Sequence, residues 1–441
     1  MRTLLATSIG VTCAAALTLP LAAPASSTTT SAASSPARAP ASVTSATAAE
    51  PAAELPGSTQ SLPLSPLAPA TTRATGAPTT GAARGLPRRD ARPFSLVGVV
   101  WDDADAELHG TVQIRTRATG TTTWSGWQDV ETHNTEHAAD EGSAEREAGK
   151  VRGSTAPLWV GDSDGVEVRV SPEPVDPRNR SATSVALPGG LRLELVDPGE
   201  DPRQPIAGRA RSAVGTGSVI PALSREDSAR EAVVAAGAKP YIGPRPRIIT
   251  RKGWGANEKL RERRFAYTKT VKAAFVHHSA TGNNYRCSQA PAVLRGIYRY
   301  HVRSSGWRDF GYNFAVDKCG NIYEGRAGGV TKAVLGAHTL GFNTNSMGVV
   351  VLGTFTSKNP PAAAVNSIAK LTAWKLGLFG ANPKGKTTLV SGGSNKYKKG
   401  KKVKLNVISG HRDGFATECP GKRLYKKLGT ARTTSARLQG R

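Results

Sequence analysis

At 441 residues the chain has room for two or three domains, and with 38% hydrophobic and 21% charged residues it is too apolar to be wholly disordered. A polytopic membrane protein is excluded as well, because a single apolar stretch approaches the length of a span. The net charge of +26 is unevenly placed: residues 241–441 carry 37 Lys+Arg against 7 Asp+Glu, whereas residues 1–240 are net −4. The C-terminal half is therefore the part that seeks an anionic partner.

Residues 1–25 read as a secretory signal. Arg2 supplies the positive start, Leu4 to Leu21 is apolar with a break at Pro20, and Ala23-Pro24-Ala25 offers a small-x-small cleavage site. The chain is expected to be secreted, with no stable membrane insertion once the signal is removed. Residues 26–92 follow as a linker in which 47 of 67 positions are Ala, Pro, Ser or Thr. Such a composition buries too little apolar surface to offset its ordering entropy, so disorder is expected.

Residues 93–197 read as an all-β, sandwich-like domain. Runs such as Ser95–Trp101, Thr111–Arg117 and Gly165–Val170 alternate or cluster β-branched residues between Asp- and Gly-rich turns. Trp124 and Trp127 are expected to pack in its core, with a sugar-stacking platform as the alternative. The acidic stretch from His133 to Lys150 holds His133 and His137 with Asp140 and Glu141, a spacing that could serve a metal, but it reads foremost as a solvated loop. Residues 198–244 return to Pro, Gly and Ala and read as a second linker, with one helix near Arg225–Ala236.

Residues 245–441 alternate strand and helix signals, which predicts an α/β domain. Ala273–His277 is a short buried-type strand, and Ser288 caps a helix with Leu294, Ile297, Tyr298 and His301 on one face, closed by Gly306. Tyr312–Asp317 and Ile322-Tyr323 form a hairpin, and Ser346–Leu352 is a central strand buried on both faces. A second amphipathic helix starts near Pro361, and Leu405–Ser409 is the last strand.

Three segments of this domain end in groups that suit zinc: the pair His277-His278, then His411, then Cys419. Neighbouring residues on a strand point to opposite faces, so only one of His277 and His278 faces the cleft. Two histidines and one cysteine leave a fourth tetrahedral position open, the mark of a catalytic zinc.

Seven motifs occur in a fixed order: Arg251–Gly255, Val276–Ala280, Gly311–Phe314, Tyr323–Arg326, Gly336–His338, Gly348–Gly353, and Gly410–Asp413 with Cys419–Gly421. In this order they resemble the peptidoglycan-recognition proteins and the phage-lysozyme-type N-acetylmuramoyl-L-alanine amidases. The resemblance covers roughly residues 246–428. It implies a central mixed sheet with flanking helices, and a groove with Zn2+ at its floor held by His277, His411 and Cys419. The reaction it implies is hydrolysis of the lactyl–L-Ala amide bond of cell-wall peptidoglycan. Tyr312 and Thr417 match the groups that stabilise the developing oxyanion, and His338 matches a groove-lining histidine. The alternative within the same family is a peptidoglycan-binding protein without catalysis.

Around this set, Arg326 has the planar fork that suits a stem-peptide carboxylate, and His278 is grouped with it and His338 around the substrate. Glu324 is a candidate base if it points into the groove, and Asp413 is suited to fixing the loop that presents His411. With Cys419 assigned to the metal, Cys287 and Cys319 are left to form a disulfide. Relatives often start a disulfide at the Cys287 position but close it on a nearer partner, which this chain lacks. Lys396–Lys404 reads as a solvated hairpin or a contact for anionic wall polymers. Nucleic acid is not expected as a partner, because no nucleic-acid motif is present. The protein is placed outside the cell or at the wall.

Overall fold

The computed structural model describes residues 57–67, 83–174, 185–201, 217–236 and 241–441, all within the unit Glu54–Arg441. The signal and most of the first linker lie outside the described residues. Among the described residues no helix is long and apolar enough to cross a membrane.

The N-terminal domain is an eight-stranded sheet built on two long strands, Arg84–Trp101 and Leu158–Pro172, which pair antiparallel with register shifts near Asp90 and Phe94. Gly110–Ala118 and Gln128–Val130 extend it on one side, and Arg192–Asp197 and Ser58–Pro63 on the other. The all-β expectation holds: the long strands are shared along one hydrogen-bonded path, interrupted by register shifts at bulges. Val99, Ile114, Val168 and Leu193 alternate inward to fill it.

The domain also begins earlier than the sequence suggests. Ser58–Pro63 pairs with Arg192–Asp197 over six residues, inside the stretch read as disordered. Leu64 and Leu86 are buried in the core, so a few leucines in a Pro/Ser background suffice for an edge strand. Trp124 and Trp127 are half-buried rather than in the core. The guanidinium of Arg88 lies 5.0 Å from the Trp124 ring, and those of Arg115 and Arg169 lie 4.8 and 4.2 Å from Trp127. Nor is the acidic stretch a solvated loop: Asn134, Glu136, His137, Ala138, Ala139 and Glu145 are buried against the second domain.

That second domain starts near Val219, inside the expected linker. Val219–Ile220 pairs with Ile248–Ile249, the helix Arg225–Ala236 forms where the sequence placed it, and Ala232 and Ile242 are buried. The central sheet is mixed, in the order Ile408–Gly410, Ala273–His278, Ser346–Val351, Phe314–Val316, Ile322–Glu324, Ile248–Ile249, Val219–Ile220. The four strands from Ile408 to Phe314 in that order are parallel. Val349 and Val351 face the helix Ala362–Gly377, while Val350 faces the helix Ala290–Arg299, so the middle strand is buried on both sides.

The last strand differs from its sequence reading. Lys402–Asn406 pairs with Lys386–Val390 in a separate ribbon, and Ile408–Gly410 alone joins the central sheet. The alternating Lys/apolar pattern of 402–406 suits a ribbon with one wet face, whereas Ile408–Gly410 is buried throughout. Cys287 and Cys319 are bonded, with Cα atoms 6.1 Å apart.

Candidate metal centre

His277 and His278 end the strand Ala273–His278 and take opposite faces of the sheet. His277 is in register with Val350, so its ring lies on the face of the helix Ala290–Arg299. There it meets His411, which follows Ile408–Gly410, at a ring separation of 4.5 Å. Asp413 fixes the turn that presents His411: it accepts from the Gly410 N–H (2.9 Å) and from the Tyr425 hydroxyl (2.6 Å). Cys419 completes the group, with Sγ 3.8 Å from His277 Nδ1.

A fourth donor comes from the other domain. His137, in the acidic loop, places Nε2 3.6 Å from Cys419 Sγ, and the donor atoms of His137, His277, His411 and Cys419 all lie within 4.8 Å of one another. An ion with ~2.3 Å bonds to sulfur and ~2.0–2.1 Å bonds to nitrogen in a tetrahedron has sulfur–nitrogen edges of about 3.5 Å. The two observed edges are close to that. Both ring nitrogens of His411 are buried without a hydrogen-bond partner, as is Nδ1 of His137. A bound cation would take up one of the two orphaned His411 nitrogens, while His137 would face it through Nε2 and leave its Nδ1 free. The donor set therefore fits zinc.

The electrostatics agree. Burial holds His277 and His411 well below the ordinary imidazole range and His137 at about 3, so all three are neutral. Burial pushes the Cys419 thiol well above its ordinary value, and a cation at the site reverses this by binding the thiolate. The ring of His277 is oriented by Thr339, whose Oγ1 lies 3.4 Å from Nε2 and 3.0 Å from His338 Nδ1.

Comparison with known proteins supplies the context. Residues 267–422 match the N-acetylmuramoyl-L-alanine amidase family Amidase_2, and residues 37–188 match a family described as Rv3811 N-terminal galactose-binding domain-like. Peptidoglycan-recognition protein SC2 of Drosophila simulans is 31% identical over 190 residues, covering 42% of this chain and 85% of that protein. The chain belongs to the family of peptidoglycan-recognition proteins and N-acetylmuramoyl-L-alanine amidases. The N-acetylmuramoyl-L-alanine amidase of Homo sapiens is 30% identical over 193 residues, 42% of this chain and 28% of that one. Among solved structures, peptidoglycan recognition protein-LE in complex with tracheal cytotoxin is 30% identical, with a TM-score of 0.33, covering 42% of this chain and 92% of that chain.

The other candidate residues of this family member are distributed as follows. A groove of about 760 Å³ runs past the cluster, and Tyr312, Thr417 and His278 line it. The Tyr312 ring lies 5.2 Å from that of His277, and burial, reinforced by Cys419 and Glu136, pushes its hydroxyl well above the ordinary value. Thr417 Oγ1 accepts from the Cys419 N–H (3.1 Å) and donates to Glu136 Oε1 (2.7 Å). His278 accepts from the Phe355 N–H at Nδ1 (3.3 Å), and burial draws it down to about 4.

His338 and Arg326 do not line this groove. His338 is fully buried, seated against Gly348 and tilted to Phe275, and acts on the site through Thr339. Arg326 is buried under the acidic loop, where Nη1 and Nη2 meet Glu145 at 2.7 and 2.9 Å while Nε donates to the Phe310 carbonyl. Glu324 turns away from the groove and accepts from the Arg251 N–H (3.2 Å). The residue that the sequence reading set aside is His137, whose metal alternative was ranked below a solvated loop. Its signal was indirect: a histidine in an acidic loop, on a chain whose other half has a large basic surplus.

Proposed function

We propose that this chain is a secreted, zinc-dependent N-acetylmuramoyl-L-alanine amidase that hydrolyses the lactyl–L-Ala amide bond of cell-wall peptidoglycan. The observation that carries this reading is the convergence of His277, His411 and Cys419 from three separate segments beside a groove that Cys419 lines. Zinc held there supplies a Lewis acid and a water acidified from 15.7 toward ~7. Family membership and the relatives named as amidase and as recognition proteins support the substrate class.

The chain's own residues do the rest. Tyr312, kept protonated by burial, donates a hydrogen bond toward the carbonyl oxygen as charge develops on it. Thr417 offers a second, uncharged donor once its hydroxyl is free of Glu136. Thr339 and Asp413 hold His277 and the His411 turn in place. The exposed lysines 396, 398, 399, 401, 402 and 404 form a basic ribbon beside the groove suited to anionic wall polymers.

The test is digestion of purified peptidoglycan by the full chain and by its His137→Ala form, with the products identified by mass spectrometry. The expected products are free stem peptides beginning at L-Ala and glycans with intact lactyl groups, lost with chelator and in Cys419→Ser. Absence of such products from every form, or their persistence in Cys419→Ser, would overturn the assignment.

A further inference from the structure

We propose that the acidic loop of the N-terminal domain holds this site latent, with His137 as a fourth protein ligand that occupies the position catalysis needs open. The inference rests on the amidase reading above and concerns how that site is controlled.

A catalytic zinc keeps one coordination position for water or substrate, and a site with four protein ligands is closed. His137 Nε2 sits at a ligand distance from Cys419 Sγ, and its ring centroid is 4.5 Å from that of His411. His277 is braced through Thr339 and the turn of His411 is fixed by Asp413, whereas His137 Nδ1 has no hydrogen-bond partner. Its position is therefore set by the loop that carries it, which makes it the ligand suited to leave.

The loop is built to dock. Residues 131–150 hold six acidic and two basic side chains, set against a domain with a large basic surplus. Glu136 accepts from Thr417 through its carboxylate, taking up the second oxyanion donor, and from the Leu340 N–H through its carbonyl (2.9 Å). Asp140 accepts from the Gly341 N–H and Asn343 Nδ2, both at 2.7 Å. Glu145 closes the far end on Arg326. One loop thus fills the open metal position and engages Thr417 at once, which no bare wall of a groove requires. Displacing it frees both.

The experiment uses the full chain loaded with Co2+ and reads the visible absorption of the ion while azide is added. The unmodified chain is expected to give a four-coordinate spectrum that azide does not change. His137→Ala is expected to give a spectrum that shifts with azide, at least tenfold weaker retention of the ion against a chelator, and at least tenfold faster release of stem peptides. Asp140→Ala leaves all four donors in place and loosens only the loop. It is expected to respond to azide between these extremes, and it serves if His137→Ala fails to fold. An azide response in the unmodified chain equal to that of His137→Ala, or a slower reaction in His137→Ala with an unchanged spectrum, overturns the proposal. Because the coordination readout needs no substrate, failure of the amidase reading shows separately, as absent products with the spectra as expected.

Discussion

Glu145 of the N-terminal domain and Arg326 of the C-terminal domain form a buried two-point pair, each with less than a tenth of its side chain exposed. Planar fork meets planar carboxylate, the geometry in which an ion pair best offsets its desolvation. The pair ties the acidic loop to the hairpin segment after Ile322–Glu324, and Arg308 adds its N–H to Glu145 Oε1 at 3.1 Å.

Its pH dependence has a definite sign. Burial alone raises Glu145, but the charge and hydrogen bonds of Arg326, with Arg308, outweigh it and hold the carboxyl below its ordinary value. A carboxylate with a lowered folded-state pKa contributes stability that is full above its unfolded value, ~4.3, and is lost as pH falls through the folded value. The share of loop docking due to this pair is read as the hydrogen-exchange difference of residues 131–152 between the unmodified chain and Arg326→Met. It is expected to be full at pH 7 and to shrink below about pH 4, against the opposing trend of Glu136 and Asp140, which burial raises. Arg326→Met leaves the carboxylate buried and unpaired and is expected to cost ~3–5 kcal/mol in denaturant unfolding. Unchanged stability in that variant would show that the pair is not desolvated in solution.

Tyr312→Phe separates a hydrogen-bond donor from a base. The buried hydroxyl is held well above its ordinary value, so it stays protonated through the working range. Its loss is expected to lower turnover by ~10²–10³, the usual effect of one oxyanion donor, and to leave both limbs of the pH–rate profile in place. The measurement belongs in the His137→Ala background, where the metal position is open. Disappearance of a limb in Tyr312→Phe would instead mark the tyrosine as the titrating group.

The sequence was most informative where pattern and packing coincide. Ser346–Val351 is uniformly apolar because helices cover both faces, and the 3, 4 spacing of Leu294, Ile297 and Tyr298 lands on one buried stripe. His277 and His411 were legible because each lies at the end of a strong local strand, and Cys419 because it is a lone thiol eight residues beyond His411. His338 was placed in the groove by the resemblance and Arg326 by its chemistry; their partners, Thr339 and Glu145, emerge only from packing. His137 was hidden for a related reason. An acidic, Gly-containing loop looks solvated until the basic domain that buries it is in place. The separation of 140 residues from His277 leaves no local pattern to detect.

Removing the metal is expected to destabilise the folded chain, because four donors present only in the native state link binding to folding. Free ion at ~1,000 times its dissociation constant stabilises by about 4 kcal/mol, a shift on the order of 10 °C for a domain of this size. Thermal unfolding with zinc and with chelator checks this, and His137→Ala should show a smaller difference between the two. Equal melting temperatures with and without zinc would mean that no ion is held at the cluster.

The disulfide makes a stability prediction that is independent of the metal. Cys287 and Cys319 are separated by 32 residues and join the segment before Ala290–Arg299 to the hairpin turn. Closing a loop of that length is worth about 3–4 kcal/mol in the chain-entropy model. Replacing both cysteines by serine is expected to lower the denaturant midpoint accordingly and to leave the cobalt spectrum unchanged, since Cys419 is not involved. A changed spectrum would place the bridge in the metal environment.

Lys375 gives a slope of the same sign in a higher pH range. On the helix Ala362–Gly377 its side chain is almost wholly buried, and its ammonium donates to the Val330 and Lys332 carbonyls at 2.6 Å each. The faces of Phe379 and Phe314 lie 5.2 and 5.9 Å away. Burial lowers its pKa to about 7, while the unfolded chain keeps the lysine near ~10.4. Between those values the unfolded state holds more protons, so stability is expected to rise with pH from about 7 toward 10 before other groups intervene. Lys375→Met removes the titrating amine and leaves two carbonyls unpartnered. The variant is therefore expected to lose this slope while its stability at high pH falls below that of the unmodified chain. Urea midpoints at pH 6, 7, 8 and 9 read both effects, and a slope that survives the substitution would show that Lys375 keeps its charge in the folded protein.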